Sequence, residues 1–173
     1  MKRIFVINPG SFSTKVALYD GTTEVLNINV VHDQKELAQF DNTAEQEGYR
    51  KAAIDRVLEE NRIDRKSFDA IAARGGLLAP VAGGVYRVGE RMLKDLREAK
   101  RGDHPSNLGA IIADHMAKEI GIEAFIVDPV VVDEMEDIPR LSGMPEIERV
   151  SIFHALNQKA TARKASEALK KRY

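Results

Sequence analysis

Three strand-like runs come before any helix signal in this chain, and that order removes most architectures at once. Met1–Ile7 is apolar and β-prone, Val16–Asp20 follows it, and Glu24–Val31 alternates apolar and polar residues. The period then changes. Thr43 and Gln46 have capping-box spacing, and Tyr49, Ala53 and Val57 recur every four residues, predicting a helix over 44–61. Phe68–Ala73 reads as a short buried strand ended by Arg74-Gly75-Gly76, and Gly83-Gly84 lead into a small strand at Val85–Val88. Met92, Leu93, Leu96 and Ala99 mark a helix that stops at Gly102, and a further helix is predicted over 106–120 with Gly121 closing it. Glu123–Val127 is a buried strand stopped by Asp128-Pro129, residues 130–148 read as loop, and 151–173 carry one long helical pattern. The order βββαβαβα, with one small excursion, predicts an α/β fold with a mixed sheet flanked by helices.

At 173 residues the chain is one domain's worth and can bury a core of its own. Its 26 basic residues against 27 acidic ones give no electrostatic case for nucleic acid or an anionic membrane. There is no cysteine, which excludes thiolate metal sites and fits a reducing cytoplasmic location. No stretch approaches the length of a membrane span, and the N-terminus has no signal-peptide pattern.

The break between the first two strands is the segment Asn8-Pro9-Gly10-Ser11-Phe12-Ser13-Thr14-Lys15. Backbone N–H groups at a Gly turn, small hydroxyls and a Lys charge can cradle phosphate, although an ordinary hairpin connection has the same spacing. Walker A and dinucleotide-binding loops are excluded, because both need a helix where Lys15 instead enters a strand. Further polar residues fall just past strand ends or at loop corners, where open α/β sheets place ligands: Arg74, Asp128, His104 and His154. Each alone also has a structural reading, as an ion-pair partner, a turn residue or a partly buried helix residue.

A mixed sheet in this order is that of a ribonuclease-H-like domain. Metal-dependent nucleases use that fold, and so does the sugar-kinase/actin/heat-shock superfamily; only the site can choose between them. A two-metal nuclease needs several converging carboxylates, yet Asn8 leaves the first strand where an Asp is required. The acidic residues Asp133, Glu134, Glu136 and Asp137 sit in a Pro-flanked loop and read as a solvated run.

Longer stretches carry a resemblance: Ile7–Ser11 with Ser13-Thr14-Lys15, Ala73–Leu78, His104–Ala110, Ala124–Met135 and Ser151–Ala160. The chain resembles the N-terminal half of the acetate/butyrate kinase family, whose members form acyl phosphates, and Arg74-Gly75-Gly76 and Phe153–Asn157 lie nearer the butyrate kinases. The resemblance implies ATP and Mg²⁺ as cofactors and a short-chain carboxylate, butyrate or a branched relative, as acceptor. Residues 1–173 would be the N-terminal acid-kinase domain. The family's nucleotide-binding C-terminal domain, with its second Gly-rich phosphate loop, is absent from these residues. Catalytic roles pass to Arg74 as carboxylate clamp, His154 as donor to the transferring phosphoryl group, and Asp128. Asn8 and Asp128 would serve the metal; Gly10, Ser11, Ser13, Thr14 and Lys15 would lie by the phosphates; His104 is a further substrate-site candidate. Leu77, Leu78, Pro80 and Val81 could line an apolar slot. A half-site of this kind implies either an inactive isolated chain that pairs with the missing domain or a homo-oligomer, or a non-catalytic relic that binds partners through apolar surface around its last helix.

Overall fold

A single six-stranded sheet organises the computed structural model, which describes all of residues 1–173. The opening strands β1 (Arg3–Pro9), β2 (Ser13–Asp20) and β3 (Thr23–Val31) pair antiparallel in sequence order. One helical turn, α1 (Gln34–Leu37), precedes α2 (Glu47–Glu60). Then come β4 (Ala70–Arg74), β5 (Val85–Arg87), α3 (Glu90–Arg97), α4 (Asn107–Ile120) and β6 (Glu123–Val127). A second single turn, α5 (Asp137–Arg140), and the long α6 (Ala155–Leu169) complete the chain.

The strand order is β3-β2-β1-β4-β6-β5. β4 lies parallel to β1 and β6 parallel to β4, so both joins need crossovers, which α2 and the α3–α4 pair supply. β5, the small excursion, closes one edge antiparallel to β6. The chain leaves β1 towards β2 on one side and returns as β4 on the other, which opens a crevice at the carboxyl ends of β1 and β4.

Side-chain alternation splits the sheet into two unlike faces. Phe5, Ile7, Val16, Leu18, Ile71, Ala73 and Ile126 are buried beneath α2 and α4, and the Phe5 ring stacks on Phe68 at 5.0 Å. α4 has nine buried positions, Leu108, Ile111, Ile112 and Met116 among them, which makes it the central helix of the core. The opposite face carries Ile4, Val6, Asn8, Ala17, Ala72 and Arg74, all only part-buried, and α6 reaches that face at its carboxyl end.

Three local expectations change. The buried row of α2 is Arg50, Ile54, Val57 and Leu58 rather than Tyr49, Ala53 and Val57. Ile54 and Leu58 have more aliphatic surface to bury, and Tyr49 stays at the margin, donating its hydroxyl to Glu36 Oε2 at 2.6 Å. Thr43 does not cap the helix; its N–H donates to Asp103 Oδ2 at 2.9 Å. Asn42 and Glu45 form the reciprocal pair one position earlier. The last helix begins at Ala155, because Phe153 N–H and the Ser151 hydroxyl are tied to the Val130 and Val132 carbonyls.

Candidate functional site

Register places the polar residues. Asn8 lies opposite Lys15, Ile7 opposite Ala73, and Arg74 opposite Val127. Asn8, Lys15 and Arg74 therefore project from the same open face, with Asp128 one step past the end of β6. Together with His154 they line a cleft of about 380 Å³, completed by Val130, Ala155, Leu156, Asn157 and Ala160. The strand end that carries Arg74 packs closely on the start of α4 because glycines stand on both sides of the contact. A Cβ on Gly76 would collide with Asn107, and one on Gly109 with the Arg74 carbonyl. Asn107 uses the space, accepting from Leu77 N–H at 2.9 Å and donating to the Gly102 carbonyl at 3.0 Å.

Arg74 Nη2 lies 2.9 Å from His154 Nδ1. A guanidinium only donates, so Nδ1 accepts and the ring proton sits on Nε2, which has no partner in the chain. Burial pushes Arg74 down from its usual value, and no carboxylate faces it. The Asn8 amide and the Lys15 ammonium also have no partner in the chain. Asp128 has a left-handed backbone, φ 37°, held by two bonds to Gly84: its Oδ1 accepts the Gly84 N–H at 2.7 Å, and its own N–H donates to the Gly84 carbonyl at 2.9 Å. Lys159 Nζ stands 3.8 Å from Asp128 Oδ1 and 2.9 Å from Glu134 Oε1, so Asp128 Oδ2 is left open.

The segment between β1 and β2 is held from behind. Arg50, fully buried, donates to the carbonyls of Gly10 (2.8 Å), Ser13 (3.3 Å) and Ser11 (3.1 Å). Gly10 N–H closes the turn on Ser13 O at 2.7 Å. Ser11 is exposed and Ser13 half-buried, and neither they nor Gly10 lines the cleft. Thr14 turns inward: its fully buried hydroxyl bonds His32 Nε2 at 2.8 Å and Arg50 Nη1 at 3.2 Å. Adjacent residues on a strand face opposite ways, so Thr14 and Lys15 cannot both reach the open face. Burial and the Arg50 charge push the His32 imidazole down to about 4. Sequence reasoning missed Arg50 and His32; the visible signal was a cation heading the i, i+4, i+8 row Arg50–Ile54–Leu58.

His104 does not line the cleft. Its Nδ1 accepts the Ser106 N–H at 3.1 Å at the mouth of α4, and burial and the nearby Arg74 charge lower its pKa. Leu77, Leu78 and Pro80 do line an apolar hollow of about 220 Å³, but Val81 pairs with Val132 instead. A second, nearly apolar hollow of about 250 Å³ shares Asn8, Arg74 and Leu156 with the cleft and adds Val6, Ala72 and Val127.

No three acidic or imidazole side chains converge anywhere, so the two-metal nuclease arrangement has no counterpart. One open carboxylate oxygen and an unengaged amide do fit Mg²⁺, which takes few protein ligands and completes its shell with water and substrate phosphate. No helix is long and apolar enough to cross a membrane.

No family model matches the chain. It is 49% identical over 171 residues to butyrate kinase 2 of Clostridium acetobutylicum, which covers 99% of this chain and 48% of that protein. A probable butyrate kinase of Coprothermobacter proteolyticus is 52% identical over 164 residues, 95% of this chain and 46% of that protein. The crystal structure of acetate kinase from Porphyromonas gingivalis superimposes with a TM-score of 0.66 at 16% identity, covering 100% of this chain and 50% of that one. The fold is thus the ribonuclease-H-like one of the acetate kinases, and the chain spans about half the length of the curated relatives it matches.

Proposed function

We infer that this chain, a homologue of the butyrate kinases from end to end, supplies the anion-facing half of a carboxylate kinase site. The reaction is transfer of the ATP γ-phosphoryl group to butyrate or a similar short-chain acid, giving ADP and an acyl phosphate. The observation that carries the reading is the convergence of Asn8, Lys15, Arg74, Asp128 and His154 on one cleft, with Arg74 in contact with His154.

The chemistry asks for little beyond placement. A carboxylate is already an anionic nucleophile, so no general base is needed; the barrier is one anion approaching another. Arg74 has a fork of donors suited to a carboxylate, and its bond to His154 Nδ1 leaves the Nε2–H to donate to a phosphoryl oxygen. Lys15 adds a charge with no competing partner in the chain. Asn8 and the open oxygen of Asp128 would hold Mg²⁺, which supplies neutralisation of phosphate charge when bound. The apolar hollow sharing Arg74 with the cleft has room for an alkyl chain. Thr14, turned inward, is left with a structural task, and His104 with shaping the start of α4.

Residues for the rest of the nucleotide belong, in this proposal, to the half of the relatives' length that these residues do not match. The isolated chain should therefore bind acyl phosphate without turning over. ¹⁵N NMR of the His154 ring titrated with butyryl phosphate tests the binding. A saturable shift that Arg74→Ala removes supports the proposal; an unmoved ring refutes it. Hydroxamate trapping with butyrate, ATP and Mg²⁺ should give no product, and family-scale turnover would refute the half-site reading.

A second reading, a partner-binding module, has one observation in its favour. Ile138, Leu141, Met144, Ile147, Val150 and Ile152 are all exposed. Most of this apolar surface lies in the segment before α6, and Leu156 and Leu169 add to it on the helix itself.

A further inference from the structure

The β1–β2 segment has a polarity that its own sequence does not impose. Four successive carbonyls, from Gly10 to Ser13, are engaged from the protein side. Arg50 takes those of Gly10, Ser11 and Ser13, and the His32 N–H takes that of Phe12 at 2.9 Å. The N–H groups of Ser11 and Phe12 donate to nothing in the chain, and both residues are exposed. A run of backbone with its oxygens drawn inward and its N–H groups left outward is a concavity for an anion.

Arg50 is also an unusual cation. It is fully buried, and its only side-chain acceptors are the Thr14 hydroxyl and the Gln46 amide oxygen, which receives Nε at 3.0 Å and Nη2 at 2.9 Å. No carboxylate neutralises it, and a guanidinium does not give up its proton. The charge therefore stays positive directly beneath the outward N–H groups, screened less than any surface charge.

We propose that Arg50 is a positioning residue for phosphate: it draws the Gly10–Ser13 carbonyls inward so that the Ser11 and Phe12 N–H groups face a polyphosphate, over its own uncompensated charge. Arg50 touches no substrate; it acts through the backbone of the segment. The inference rests on the phosphate reading of this cleft and adds the device that makes the segment donate rather than accept.

The test uses the whole chain and inorganic tripolyphosphate as the probe, followed by ¹⁵N–¹H spectra. In the wild type the Ser11 and Phe12 amides should shift saturably. Arg50→Lys keeps the charge and loses the fork; with the fold intact by circular dichroism, it should change those amides before any probe is added. Its affinity should fall at least about tenfold, the scale of lost hydrogen bonds to a charged group. Gln46→Glu keeps the acceptor and neutralises the guanidinium; the free-state amides should hold their positions while affinity falls about threefold or more. Both variants within about twofold of the wild type would overturn this inference alone. If Arg50→Lys does not fold, Gln46→Glu decides by the same criterion. Wild-type amides that ignore tripolyphosphate would overturn the phosphate reading of the segment and this inference with it.

Discussion

His32 gives the most quantitative prediction, because its environment converts directly into a pH dependence of stability. The ring is buried, bonds Thr14 at 2.8 Å and stands 5.3 Å from the Tyr49 ring. Burial and the Arg50 charge hold its pKa at about 4, against an opposing pull from Glu36. An unfolded imidazole titrates near 6.5. Above that value both states are neutral and the contribution is intact. As pH falls from 6.5 to 4 the unfolded chain takes a proton that the folded one refuses, so stability is lost on acidification. The loss reaches about 2 kcal/mol at pH 5 and levels near 3 kcal/mol below pH 4. For a chain of this size the first figure is a fall in Tm of about 4–8 °C. Urea unfolding of wild type and His32→Gln should be compared from pH 7 to pH 4. Carboxylates held low by cations, such as Asp95 by Lys100 and Asp133 by Arg140, weaken both proteins equally and drop out of the difference. The variant should gain on the wild type by those amounts as pH falls. A difference that stays flat with pH would refute the buried neutral imidazole and, with it, the account of the packing behind the β1–β2 segment.

Gly76→Ala should lower the urea midpoint by about 1–3 kcal/mol in stability, because the new methyl meets Asn107 and Leu96; an unchanged midpoint would show that α4 can yield there. Lys15→Ala should leave stability within about 0.5 kcal/mol, since the ammonium has no partner in the chain, yet weaken tripolyphosphate binding; a loss of stability instead would point to a structural task. The exposed aliphatics between Ile138 and Ile152 predict a mass by light scattering that rises with concentration and returns to the monomer in an Ile147→Lys, Val150→Lys double variant; a monomer at every concentration refutes the association.

The first three strands were legible because two short apolar, β-prone runs and one alternating run are separated by short turns, and Arg74 and Asp128 because open sheets place ligands at carboxyl ends. The inward turn of Thr14 was legible too, since Lys15 follows it on the same strand, but a motif read as a unit hides that parity. Arg50 was harder. A charged residue in an apolar row resembles an ordinary interruption until the carbonyls it meets, some forty residues away, are known. The meeting of Arg74 with His154 spans eighty residues and depends on the start of α6 reaching the open face, which no local pattern encodes. Helical structure does begin at Ala44, but Thr43 supplies no side-chain cap and gives its N–H to Asp103; the last helix starts late because Phe153 gives its own N–H to Val130.

The distribution of partners among desolvated cations bears on what the cleft is for. Removing a charge from water costs several kcal/mol unless a counter-charge offsets it. Away from the cleft the rule is kept: Lys51 has Asp55 and Glu119, Arg65 has both as well, and Arg140 has Asp133. Arg50 and Arg74 are both lowered by burial, and neither has a carboxylate. Two unneutralised guanidinia lie at one end of a sheet in a chain whose formal charge is −1, one beneath the β1–β2 segment and one beside it. Folding uses Arg50 to hold the Gly10, Ser11 and Ser13 carbonyls, yet it leaves both charges uncompensated. Under the proposed function an anion entering from outside the chain would compensate them, and two anions that must approach one another would use both.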